Sequence, residues 1–385
     1  MESRAVGQGA ATGPRGRLDP HRTQRRDTGM IRPPALLFGV PIADLTMSET
    51  LTLIGELVAH GRSFNRTHQI ATTNVDFLVN ALDAPEVRSI LQNADVCLAD
   101  GMPVVWGASL VGMPIRERVA GSDLLPLLVE ASAKTGWRIH VFGSSPSVAA
   151  RASAHFAERY PSATVSIDPG PLIPDPTTVD DCVIDAIAAV HADILCVALG
   201  NPKQERFIEA HRERLGVPVM IGVGGSLDML VGERRRAPTW MQRTGTEWIA
   251  RLAQEPRRLG RRYARDMFVF GPRLAREWRD VRSRRDQAGL VVEVTDGVVE
   301  VRIGGATAPG PDSWDRAVSA LADTAGLHIR AGAATTLSDR ALAVLIGLVR
   351  QAQWHNAEVR WIDDPSQLES ELHRRGIPRG LIGAP

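Results

Sequence analysis

TTNVDFLVNALDAPEVRSILQNADVCLADGMPVVWGASLVGMPIRERVAGSD, residues 72–123, sets polar side chains where short apolar runs end. Thr72 and Asn74 follow QIA, Asp100 follows DVCLA, and Arg118 stands just before VAG. Short apolar runs bounded by polar turns read as buried strands, while Val75, Leu78, Val79 and Leu82 recur at helical spacing. Strand, helix, strand, helix in this order predicts a parallel sheet covered on both faces. In such a sheet ligands bind beyond the carboxyl ends of the strands. A Thr, an Asn, an Asp and an Arg gathered there can hold a polar substrate, take up a proton and neutralise a leaving anion.

The alternation extends in both directions. LLFGV (36–40) reads as a strand, and Thr46 with Glu49 forms a capping box for a helix running to His60. RIHVFG (138–143) is a strand followed by Ser144-Ser145-Pro146, a sequence suited to start a helix. ATVSI, DILCVALG and VPVMIGVGG repeat the pattern. Residues 33–232 are therefore expected to form an α/β core with a Rossmann-like parallel sheet. Two of its turns, VFGSSPS and ALGNPKQERF, pass from strand through small or polar residues straight into a helix. Such turns aim free N–H groups, and the positive end of the helix dipole, at an anion above them. Gly143, Ser144, Asn201, Lys203, Gln204 and Glu205 are the residues presented, although ordinary capping and a solvated first turn use the same types. Neither turn is a GxGxxG fingerprint, and no Walker A sequence is present.

With 385 residues, 44% of them hydrophobic, the chain is long enough for more than one domain, and a net charge of +1 gives no global attraction to nucleic acid. Cys97, Cys182 and Cys196 make neither a metal spacing nor a disulfide framework, which favours a reducing cytoplasm. No apolar run reaches membrane-span length. Residues 1–32 are Arg- and Gly-rich without an apolar core and are expected to be a disordered tail, with Met30 a plausible start of the folded sequence. Residues 233–286 form an arginine-dense, aromatic-interleaved stretch that Pro238, Pro256 and Pro272 are expected to divide into short helices. This basic appendage favours an anionic partner, a membrane surface above all. Residues 289–385 open with a hairpin at Asp296-Gly297 and continue as a small α/β unit, expected to fold separately and to carry no reactive constellation.

Several ordered segments carry a resemblance: TTNVDFLVNA, ADVCLADGMPVVWGASLVG, ERVAGSDL, ALGNPKQE, IGVGGSLD and RRAPTWMQRTGTEWIARLAQEPRRLGRRY. Over residues 36–265 they resemble the WecG/TagA/CpsF family of glycosyltransferases. The resemblance implies an inverting, metal-independent enzyme without a cofactor, taking sugar from a UDP-sugar to a polyprenyl-linked acceptor at the inner face of the plasma membrane. It implies Asp100 as catalytic base and Thr72 and Asn74 in the acceptor pocket. Arg118 is placed by it near the donor diphosphate, with Gln204, Gly224 and the appendage arginines Arg251 and Arg258 as further donor contacts. Similar enzymes use N-acetylmannosamine, its uronic acid, glucose or galactose donors. Thr246 stands where the family usually has Leu in a GLEW motif. Residues 289–385 are similar to STAS domains, with Asp339 and Arg340 in place of the serines of the phosphorylation turn, and a protein partner would act there; a homo-oligomer is a separate expectation.

Elementary chemistry runs the same way. Inverting transfer needs a carboxylate near the acceptor hydroxyl and cations or dipoles for the departing diphosphate. No DxD-like acidic pair stands at a strand end to hold a metal; Asp180-Asp181 open a helix instead. A nucleic-acid-binding reading requires basic residues over the α/β core, which are absent. A scaffold built on the STAS-like unit with a degenerate enzyme domain is the alternative, and it predicts loss of Asn74, Asp100 or Arg118, all present.

Overall fold

The computed structural model describes residues 32–233, 241, 246–254, 256–284, 287–305, 309–323, 326–332 and 336–383, apart from the side chains of Arg251, Arg258 and Leu259. The tail to residue 31 and Pro238 lie outside the described residues.

The expected parallel sheet is present. Its strands are β3 (His68–Thr73), β4 (Val96–Ala99), β5 (Arg138–Gly143), β6 (Thr164–Asp168), β7 (Ile194–Ala198) and β8 (Val219–Gly222), in the order β4-β3-β8-β7-β5-β6. Every neighbouring pair is parallel. β3, β4 and β8 are buried at every residue, as strands covered on both faces must be. Helices α1 (Met47–Phe64), α2 (Val75–Asp83), α3 (Pro85–Asn93), α4 (Met102–Leu110), α5 (Gly121–Thr135), α6 (Pro146–Arg159), α7 (Asp181–Ala189), α8 (Lys203–Leu215) and α9 (Ser226–Leu230) join them. The Thr46–Glu49 capping box starts α1, with Glu49 N–H to Thr46 Oγ1 at 3.2 Å and Thr46 N–H to Glu49 Oε2 at 2.8 Å.

Two local expectations are corrected. LLFGV is not one strand but the bend of a hairpin between β1 (Ala35–Leu37) and β2 (Val40–Ile42). Phe38 (φ 53°) and Gly39 (φ 78°) both take the left-handed conformation that a two-residue hairpin turn needs. Phe38 tolerates it because Glu277 accepts its N–H (2.9 and 3.1 Å) and Phe270 packs edge-on at 5.4 Å. The second correction concerns Pro272, which breaks nothing: one helix runs Pro256–Ser283. The ring is exposed to solvent, and the adjoining turns are anchored by buried Phe270 and by Leu274, both against Gly107 of α4. Packing outweighs the roughly 3 kcal/mol that an interior proline costs an isolated helix. Arg265 ties the same helix to α2 through Asn80 (2.9 Å) and Asp83 (2.6 Å).

The last hundred residues carry a second sheet. Strands β9 (Leu290–Thr295), β10 (Val298–Ile303), β11 (Leu327–Arg330) and β12 (Val359–Trp361) lie in the order β12-β11-β10-β9, with Asp296-Gly297 at the hairpin turn. Helices Pro311–Ala322, Asp339–Trp354 and Ser366–Arg374 accompany it. One apolar cluster runs through both regions, joining Leu37, Phe77, Leu91 and Val104 to Val301, Trp314, Leu345 and Leu372. Gln92 spans the junction, donating to Gly39 O (2.9 Å) and Gly376 O (2.7 Å), while Arg350 donates to Gln92 O (2.9 Å).

Candidate active site

The strand ends deliver the site. Asn74 caps α2 by accepting the Phe77 N–H at 3.2 Å, which puts Asp76 in the first turn. Asp100 follows β4 and is fastened to β3 by its own N–H on Thr73 O at 2.9 Å. The chain then turns away through Gly101 at φ 134°, a conformation that side-chain-bearing residues rarely adopt.

Two hollows meet here. The larger, of about 650 Å³, lies beyond β3, β5, β7 and β8 and is bordered by Thr72, Ser144, Asn201, Lys203, Gln204, Gly224 and Asp228. The smaller, of about 330 Å³, lies under the two appendage helices, Glu247–Gln254 and Pro256–Ser283, with Met102, Trp248, Met267 and Phe270 as apolar walls and Arg118, Glu247 and Asp266 as polar ones. Asn74, Asp76, Asp100, Arg262 and Tyr263 border both. Asp100 therefore stands on the boundary between a polar space and a mainly apolar one.

The larger hollow is suited to an anion. The N-termini of α6 and α8 open on it, and Ser145 caps α6 through the Val148 N–H. Ser144 is left-handed (φ 86°), a strain of order 1 kcal/mol or more of the kind that collects at functional sites. Gly143 beneath it (φ 105°) leaves no room for a side chain, whose Cβ would lie 3.0 Å from Ala198 O. Lys203 donates to Ile173 O at 3.0 Å, and Asn201 donates to Asp76 Oδ2 at 3.0 Å.

Not every predicted contact reaches a hollow in the expected way. Thr72 borders the larger hollow alone, and its hydroxyl donates to Gly222 O at 2.7 Å, stitching β3 to β8. Gln204 accepts the Gly224 N–H at 2.9 Å and donates to Glu205 Oε1 at 2.8 Å, so it shapes the glycine turn from below. Glu205 borders neither hollow; it is fully buried, and burial pushes its carboxyl up to about 8. Gly222 must be glycine because a Cβ there would press on the Gln204 amide and lie 2.6 Å from Glu205 Oε1. Arg118 borders the apolar hollow rather than the polar one, paired with Asp123 at 2.8 Å and 3.9 Å from Glu247. Arg251 and Arg258 have side chains outside the described residues.

Other site residues were not singled out from sequence. Asp76 sits two places after Asn74. Arg262, Tyr263, Asp266, Met267 and Phe270 project from one long helix at spacings of three and four, all between Pro256 and Pro272. The Arg262 guanidinium lies over Tyr263 (5.2 Å to the ring centre) and 3.9 Å from Asp76, and Tyr263 meets Trp248 edge-on at 6.1 Å. Among the described residues, no group of three or more His, Cys, Asp or Glu is placed to hold a metal ion, and no helix is long and apolar enough to cross a membrane.

This arrangement can activate a hydroxyl arriving from the apolar side against an electrophile held on the polar side. Lys203, Arg262 and two helix N-termini border the polar side. Residues 35–284 match the model of the glycosyl transferase WecG/TagA/CpsF family. An N-acetylglucosaminyldiphosphoundecaprenol N-acetyl-beta-D-mannosaminyltransferase of Bacillus spizizenii is 31% identical over 215 residues, 56% of this chain and 82% of the relative. The enzyme of the same name from Bacillus subtilis is 31% identical over 187 residues, 49% of this chain and 72% of the relative. The chain is a glycosyltransferase and belongs to the WecG/TagA/CpsF family.

Proposed function

We propose that the chain moves a sugar, of N-acetylmannosamine type or a hexose, from a UDP-sugar to a sugar carried on polyprenyl diphosphate, for a cell-surface polysaccharide. The observation that carries this reading is the place of Asp100 on the border of both hollows. The donor occupies the polar hollow with its diphosphate toward Lys203, Arg262 and the α6 and α8 N-termini. The acceptor sugar enters the apolar hollow, where Arg118 lies within reach of its own diphosphate. Asp100 removes the acceptor hydroxyl proton as that oxygen bonds to the donor C1, the C1–O bond to phosphate breaks on the opposite face, and UDP departs with the electron pair. Configuration at C1 inverts. Positioning and charge stabilisation supply the rate enhancement.

A lipid-borne acceptor requires the enzyme to work at a membrane surface, in this reading the cytoplasmic face. Trp248, Ile249, Met267 and Phe268 are 36%, 43%, 62% and 78% exposed at the mouth of the apolar hollow and beside it. Exposed Arg257 and Arg261 accompany them. Basic residues near an anionic bilayer contribute about 1 kcal/mol each, enough together for reversible attachment. The deciding experiment incubates the protein with UDP-sugars and a short-chain polyprenyl diphosphate N-acetylglucosamine, and reads the product linkage by NMR. One donor is expected to give an inverted glycoside. Transfer from none of them, or retention at C1, contradicts the proposal.

A further inference from the structure

We infer that Asp266 selects the acceptor: its carboxylate takes a hydrogen bond from an N–H or hydroxyl of the acceptor sugar in the hollow that it shares with Asp100. The inference rests on the two-hollow reading above and adds a residue to it.

The seam between α2 and the Pro256–Ser283 helix is not closed by its own ion pairs: the charges of Arg262 and Arg265 act on Asp266, yet its Oδ1 and the buried Arg262 Nε both lack a hydrogen-bond partner among the described residues. Arg265 is spent on Asp83 (2.6 Å) and Asn80 (2.9 Å), pointing away from the hollow. Arg262 turns to Asp76 and the Tyr263 ring, and Asp76 already accepts from Asn201. Asp266 is 6% exposed. Burial, and Asp76 nearby, push its carboxyl up to about 6, still ionised for the most part at neutral pH.

A buried carboxylate oxygen without a donor is costly and calls for an explanation, and Asp266, unlike Glu205, borders a hollow from which a ligand can complete it. The ligand that fits is a neutral donor of hydrogen bonds. A diphosphate beside Asp266 meets the negative charge of Asp76 and Asp100 and belongs instead near Arg118, and a free cation finds the Met102, Trp248 and Met267 walls. A sugar satisfies both halves, placing an amide N–H or hydroxyl on Asp266 and its apolar ring face or acetamido methyl on those walls.

The test uses the full chain, water-soluble short-chain acceptors, and analogues each lacking one hydroxyl or the amide N–H. Equilibrium binding is read without donor, and steady-state kinetics with it, for wild type, Asp266→Ala and Asp266→Asn. A hydrogen bond to a charged group sets the scale, so one analogue is expected to bind wild type about 10–100-fold more weakly than the full acceptor. On Asp266→Ala that same analogue and the full acceptor should bind within about threefold of each other, with the UDP-sugar KM unchanged. Asp266→Asn keeps the volume and one acceptor oxygen, so it should recover part of the discrimination, and it reports if the alanine variant unfolds. The inference is overturned if every analogue keeps its wild-type penalty in both variants. It is equally overturned if the variants raise the donor KM instead, which makes Asp266 a support for Arg262. Acceptor binding without any transfer by wild type counts against the transfer reading and leaves the binding result for Asp266 to be judged by itself.

Discussion

Replacing Glu205 with Gln should stabilise this protein, and only above acidic pH. The carboxyl is buried under the turn after β8, receives Gln204 Nε2 on Oε1 at 2.8 Å, and has no hydrogen-bond partner for Oε2 among the described residues. Burial raises it from 4.5 to about 8 in the fold. A carboxyl raised on folding favours the protonated native state. Its contribution is therefore whole below pH 4.5 and is lost as pH climbs through about 8. At about 1.4 kcal/mol per pH unit, holding the proton from 4.5 up to neutrality costs the native state on the order of 3 kcal/mol. Gln keeps the volume and the acceptor for Gln204 and has no proton to hold. Urea unfolding of wild type and Glu205→Gln at pH 5 and pH 8 reads the difference. The midpoints should nearly coincide at pH 5, and the variant should be clearly higher at pH 8. Parallel pH profiles would refute the buried-carboxyl argument. A tenfold rise in donor KM would return Glu205 to the donor site.

Gly222→Ala forces a methyl against the Gln204 and Glu205 side chains, with Glu205 Oε1 at 2.6 Å. It should cost about 1–3 kcal/mol, read as a lower unfolding midpoint. Arg262→Ala removes a cation that borders both hollows, so transfer should fall on the order of 10²-fold, as when one charge-stabilising donor is removed; activity within twofold of wild type contradicts its placement. Ending the chain at residue 288 uncovers the shared cluster at Leu37, Phe77 and Leu91. The truncated protein is expected to melt well below the full chain, and an unchanged melting temperature would show that the two apolar regions are independent.

The parallel sheet was legible because buried strands leave uninterrupted apolar runs and their ends leave polar residues, as at Thr73–Asn74 and Ala99–Asp100. Caps were legible for the same local reason: Thr46 and Ser145 bond the N–H they were suited to bond. What failed depended on distant partners. Phe38 turns where a strand was expected because Glu277, 239 positions away, holds its N–H. Pro272 rides inside a helix because Phe270 and Leu274 are packed on α4. The site divides likewise. Asn74 and Asp100 announce themselves at strand ends, whereas the burial of Glu205 and the commitment of Thr72 to Gly222 are properties of sheet packing. Asp266 needed the packing of its helix against the core, because nothing local shows that it borders a hollow beside Asp76 and Arg262.

The central claim is that Asp100 is the base that activates the acceptor. Asp100→Asn preserves shape and removes basicity, and general-base catalysis of this kind contributes about 10²–10⁴-fold. The direct measurement is single-turnover transfer from whichever UDP-sugar the donor panel selects, together with equilibrium binding of that donor. Transfer should drop by at least about 10²-fold while donor affinity stays within a factor of about two. Near-wild-type turnover by Asp100→Asn, or a loss explained wholly by weaker donor binding, would contradict the account.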